Sequence, residues 1–151
     1  MAEFTLNRKL TLKKPLTEVF EFFAKAENLQ KICPPELDFT MLTPLPFEMR
    51  KGTLIDYNIR LYGFPLRWRT LISEWNPPHS FIDESVKGPY KQWIHRHTFT
   101  ENEKGETNIE DHVRYRLPFE PLGDIGHWLV RRELKYIFDY RQRIVAQLLG
   151  S

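Results

Sequence analysis

The chain has 151 residues, 41% of them apolar and 14% aromatic, with 22 basic and 20 acidic side chains for a formal charge of +2. This is the length of one domain, 1–151, able to bury roughly two-thirds of its unfolded surface, and the apolar content excludes a disordered chain. No basic run beyond Arg131-Arg132 offers a nucleic-acid footprint, no apolar run could span a bilayer, and Cys33, the lone cysteine, leaves no intrachain disulfide and no Cys-based zinc motif.

Residues 3–13 alternate, with Phe4, Leu6 and Arg8 against Thr5, Asn7 and Lys9, then Leu10 and Leu12, which predicts an edge or half-buried strand. Lys13-Lys14-Pro15 ends it. Pro15, Thr17 and Glu18 suit a helix start, and Leu16, Val19, Phe20 and Phe23 make its apolar face. A second short helix is expected over Ala26 to Ile32, stopped by Pro34-Pro35. Leu37 to Thr43 reads as the second strand, closed by Pro44 and Pro46. Gly52 turns the chain into Thr53 to Tyr62, where Ile55, Tyr57, Ile59 and Leu61 share a face. Gly63-Phe64-Pro65 is a hairpin connection. Leu66 to Trp75 returns with Leu66, Trp68, Thr70 and Ile72 on one face, and Asn76-Pro77-Pro78 breaks it. Phe81 to Val86 is a short strand and Lys87-Gly88-Pro89 a turn. Tyr90 to Thr100 aligns Trp93, His95, His97 and Phe99. After a polar turn at Asn102 to Gly105, Thr107 to Leu117 aligns Ile109, Asp111, Val113, Tyr115 and Leu117. Pro118 to Gly126 is a loop.

Asp124 to Leu149 then forms a long helix. Val130, Leu134, Ile137, Phe138, Ile144, Val145 and Leu148 fall on one side at a 3.6 period. Arg141 lies in the middle of that stripe. Its stem lies along the stripe with its head in water, or its guanidinium points into a pocket beneath the helix. The order of one strand, two short helices, about six strands in hairpin succession and one long helix predicts an α+β domain, an antiparallel sheet closed over by the C-terminal helix. The inward aromatics, Tyr57, Trp68, Trp93, Phe99 and Tyr115, border the space between sheet and helix.

Several stretches carry a resemblance. They are Pro15-Leu-Thr-Glu-Val-Phe-Glu-Phe-Phe with Asn28-Leu29; Gly63-Phe-Pro-Leu-Arg-Trp; Trp75-Asn-Pro-Pro with Phe81-Ile-Asp83; Gly88-Pro-Tyr-Lys-Gln-Trp-Ile-His-Arg-His; and Asp111-His-Val-Arg-Tyr-Arg-Leu-Pro118. Over essentially the whole chain the pattern resembles stand-alone bacterial ligand-binding proteins of the SRPBCC superfamily, which joins START domains, polyketide cyclases and birch-pollen allergens. The resemblance implies the helix-grip fold, a curved seven-stranded antiparallel sheet wrapped around the C-terminal helix, with an apolar cavity between them. It implies no reaction.

Chemistry concentrates at His95, His97, Asp111 and Arg141. Period 2 puts both histidines on the face of Trp93 and Phe99; a one-residue shift would turn Arg96 and Thr98 inward and expose those aromatics. Three readings are open: a hydrogen-bonded structural patch, a ligand-orienting or acid/base site, and a metal site of two His and one carboxylate. No nucleophile elbow, dinucleotide motif or P-loop is present, and Cys33, between Ile32 and Pro34, reads as packing. No metal and no cofactor is expected.

The leading expectation is a carrier or sensor that binds a small hydrophobic molecule, aromatic, lipid or isoprenoid-like, through Tyr57, Trp68, Trp93, His95, His97, Phe99, Asp111, Tyr115 and Arg141. One alternative is a polyketide cyclase/dehydratase-like enzyme in which His95, His97, Asp111 and Arg141 act on a carbonyl substrate. Another is a protein-interaction module with a filled core. Neither nucleic acid nor integral membrane contact is expected. The N-terminal Met1 to Leu6 lacks a signal-peptide layout, and with one cysteine the expected compartment is the cytoplasm. An edge strand could pair with a second copy, so the oligomeric state stays open.

Overall fold

Seven strands lie in the order β1-β7-β6-β5-β4-β3-β2, every neighbouring pair antiparallel. In chain order they are β1 (Phe4–Leu12), β2 (Thr40–Met41), β3 (Leu54–Leu61), β4 (Phe64–Asn76), β5 (Ser80–Lys87), β6 (Gln92–Glu101) and β7 (Thr107–Arg116). Helix α1 (Leu16–Ala24) follows β1, and helix α2 (His127–Leu149) ends the fold. This computed structural model describes residues 3–61, 63–119, 124 and 126–150. The expected strand end at Tyr62 and most of the loop expected over 118–126 lie outside them.

The alternation seen in sequence becomes burial in each long strand. On β7, Thr107, Ile109, Asp111, Val113 and Tyr115 are buried while the residues between them are not. One bulge changes the phase in β4. Ile72 pairs with Asp83 and Glu74 with Ile82, so Ser73 is the extra residue, and both Ile72 and Trp75 turn toward the core.

Three expectations need correction. The second strand shrinks to Thr40–Met41, because Pro35–Leu37 forms a 3-10 turn that ends at Asp38 in a left-handed conformation. Beyond it, the amides of Leu42 and Thr43 both donate to the Asp56 carbonyl, which ends the ladder. The second short helix is a pair of 3-10 turns, Ala26–Asn28 and Gln30–Ile32. There the Asn28 amide donates to the Phe22 carbonyl at 2.7 Å and satisfies the end of α1. Leu148, placed on the apolar stripe of the last helix, is half exposed.

α2 lies across the inner face, tied at both flanks. Arg8 meets Asp139 at 3.2 Å and Gln142 donates to the Lys9 carbonyl at 2.9 Å on the β1 side. On the other side Tyr136 donates to Glu36 at 2.5 Å. Leu134, Phe138 and Val145 are its buried residues. The interior holds two main apolar clusters. One gathers Trp68, Trp93, Val113, Tyr115, Leu134 and Phe138; the other gathers Leu12, Phe20, Phe23, Phe81, Phe99 and Val145.

Candidate functional site

A polar belt crosses the interior between these two clusters, and strand register builds it. On β6, His95 and His97 stand between Trp93 of one cluster and Phe99 of the other. Asp111 of β7 is opposite His97, and Asp83 of β5 is opposite His95. On α2, Arg141 falls between Phe138 and Val145, at the same level. Each element thus contributes polar side chains where its apolar row is interrupted.

The contacts are close. His95 Nε2 lies 2.8 Å from Asp111 Oδ1, and His97 Nε2 lies 2.5 Å from Asp83 Oδ2. In each ring Nε2 carries the proton it donates, since a carboxylate only accepts. The rings stack, centroids 3.6 Å apart and planes 24° from parallel, and Phe81 stacks on His97 at 4.1 Å. Arg141 Nη2 lies 3.7 Å from Asp111 Oδ1 and 3.5 Å from His97 Nδ1. Its Cζ sits 5.5 Å from the Phe23 ring centroid and 5.7 Å from that of Phe138. Of the two sequence readings for Arg141, the geometry is that of the inward one.

Burial and charge set the protonation states. Burial, helped by the His97 charge, pushes His95 down to about 4, so its imidazole is neutral near pH 7. Burial also opposes charge on His97, but hydrogen bonds to Asp111 and Asp83 outweigh it and hold His97 above the ordinary histidine value. For Asp111, burial is outweighed by Arg141 and the two histidines, which hold the carboxyl well below its usual range. Asp83 is likewise lowered against burial, chiefly by its hydrogen bond to His97. Asp83 and Asp111 therefore face the Arg141 guanidinium and a His97 ring whose protonated form they favour. Burial pushes the Cys33 thiol up to about 11, which leaves it a packing thiol rather than a nucleophile.

Asp83, His95 and His97 bring one ligand-type atom each within 4.8 Å of one another. They do not fit a resident metal. An ion about 2 Å from both imidazoles has to lie near both ring planes, and rings stacked 3.6 Å apart do not converge that way.

A cavity of about 170 Å³ lies between α2 and the β3–β6 wall. Tyr57, Trp68, Trp93, His95, His97 and Arg141 line it. The other three candidates do not. Phe99 is fully buried under α1, packed on Phe20, Phe23 and Phe81, because the apolar face of α1 plugs that end of the sheet. Tyr115 is covered by Phe4 and His127, its hydroxyl 2.7 Å from His127 Nε2. Asp111 stands behind the histidines and acts on the cavity only through them and Arg141. Asp83 lines the cavity and was missed as a site residue. Its signal was present: it shares the period-2 face of Phe81, an acid on an inward apolar row.

The fold is shared with solved structures. Zhui aromatase/cyclase from Streptomyces sp. R1128 matches with a TM-score of 0.77 at 12% identity, over 98% of this chain and 94% of that one. A START superfamily protein from Mycobacterium smegmatis matches at 0.67 and 11%, over 95% and 98%. Ginseng major latex-like protein 151 from Panax ginseng matches at 0.63 and 12%, over 99% of each chain. The helix-grip fold implied by the SRPBCC resemblance is thus the fold of this chain. No curated protein matches it. A family model described as Domain of unknown function (DUF8410) matches residues 12–149.

Proposed function

The chain belongs to the DUF8410 family, and we propose that it binds a small hydrophobic molecule in the cavity between sheet and α2. One observation carries this reading: an interior space of about 170 Å³ walled by Tyr57, Trp68, Trp93, Leu134 and Phe138, with a polar minority on one side. Apolar cavities of roughly 150 Å³ hold benzene, so the ligand part enclosed here is of single-ring size. An aromatic compound fits better than a whole lipid or isoprenoid chain. Titration with ethylbenzene, followed by emission of the cavity-lining Trp68 and Trp93, tests it. Saturable binding is expected, and Ile137→Phe, which fills space under α2, weakens it at least about tenfold with little loss of stability. Equal binding by the filled variant overturns the reading.

A second reading is an enzyme of the cyclase/dehydratase type. The observation that favours it is that His95, His97, Asp83 and Arg141 all open onto the same space, and the similar structure named an aromatase/cyclase is consistent with it. A neutral His95 beside a His97 whose protonated form Asp83 and Asp111 favour offers one proton acceptor and one donor. In this reading His95→Ala and His97→Ala each abolish turnover of a bound substrate while leaving its binding within a few-fold; unchanged turnover in both removes it.

A further inference from the structure

The polar groups on the cavity wall state which chemistry a ligand brings. Trp68 lines the cavity and its buried indole N–H has no acceptor among the described residues. Arg141 also lines it, and among the described residues its polar contacts, at 3.5 and 3.7 Å, leave most of its five N–H donors unengaged. Indole and guanidinium can only donate. A ligand that complements them therefore accepts, and a buried donor left unmade costs more than a made bond contributes.

The same wall disfavours a formal charge on that acceptor. Asp83 and Asp111 already face Arg141 and the His97 ring. A bound carboxylate adds a third negative charge to an apolar chamber in which, among the described residues, Arg141 already faces two carboxylates. A cationic ligand meets Arg141 itself.

Resting on the binding function proposed above, we infer that the ligand is an uncharged aromatic carbonyl compound, a ketone, aldehyde or ester of single-ring size, whose oxygen accepts from Arg141. The apolar walls alone already disfavour the corresponding acids; the Trp68 and Arg141 donors add a preference for neutral acceptors over hydrocarbons of the same size.

The test uses the intact protein at pH 7.5 with three probes of one ring size: acetophenone, benzoate and ethylbenzene. Calorimetry gives their affinities, and infrared spectroscopy of carbonyl-labelled acetophenone gives its hydrogen bonding when bound. Acetophenone is expected to bind at least about tenfold tighter than benzoate. Its bound carbonyl band is expected well below its position in hexane. Arg141→Lys keeps the charge and removes the fork, so it is expected to weaken acetophenone about tenfold and ethylbenzene less than twofold. Benzoate binding tightest, or a bound carbonyl band at the hexane position, overturns the inference while leaving the cavity a binding site. If none of the three probes binds, the proposed function falls with it. The infrared measurement needs only the unmodified protein, so the test stands even if Arg141→Lys does not fold.

Discussion

A guanidinium held between the rings of Phe23 and Phe138 is stable there because Asp111 lies 3.7 Å away and is itself held by His95. Removing one partner of such a buried set leaves the rest uncompensated. Arg141→Met is therefore expected to cost about 3 kcal/mol, read by urea denaturation, and adding Asp111→Asn is expected to recover part of it. A loss below about 0.5 kcal/mol in the single variant would mean that the cluster is not electrostatically closed. The histidines set the pH response. His95 is lowered to about 4 from 6.5. Between those values the unfolded chain binds its proton more readily than the fold does, so stability falls as pH falls through this window, by roughly 3 kcal/mol. His97 is raised. Its contribution is full below 6.5 and is lost as pH rises through its folded value. Asp83 and Asp111, both lowered, contribute above about 3.8 and lose that contribution only in stronger acid. His95→Gln is expected to flatten the Tm profile between pH 6.5 and 4; an unchanged acid limb would show that His95 is not the group responsible.

At the scale of elements, α2 tests which residues of the amphipathic pattern reach the core. Leu134 is 3% exposed and borders the cavity, whereas Leu148 is 50% exposed. Leu134→Ala enlarges an existing space and is expected to cost about 3–4 kcal/mol, against less than about 0.5 kcal/mol for Leu148→Ala. Comparable losses would place the helix differently on the sheet. The long strands and this helix were readable in the sequence because period 2 and period 3.6 persist over many residues. The region 26–43 was not. There Asn28 bonds back to α1, the Pro34-Pro35 pair starts a 3-10 turn, and Asp38 adopts positive φ. Such local bonding leaves no period to read. The polar belt was half readable. His95 and His97 declared themselves by sharing a row with Trp93 and Phe99; Asp83 shares the row of Phe81, but that it meets the histidines follows only from the β5–β6 register. The bulge at Ser73 likewise depends on pairing that no single strand reveals.

At the scale of the molecule, the fold is a sheet that one helix covers only in part. α2 is tied to β1 by Arg8–Asp139 and Gln142–Lys9, and to the turn before β2 by Tyr136–Glu36, and the space under it remains over β3–β6. Which aromatics border that space was not decided by strand alternation. Phe99 and Tyr115 have the same period as Trp93, and it is the packing of α1 and the start of α2 that buries them as core. In the proposed function this space takes up a small hydrophobic molecule. Native mass spectrometry of the purified chain, incubated with acetophenone and ethylbenzene and compared with Ile137→Phe, reads it directly. A one-to-one adduct on the unmodified chain, lost in the filled variant, is expected. An adduct of equal abundance on both proteins, or none on either at millimolar ligand, would contradict it.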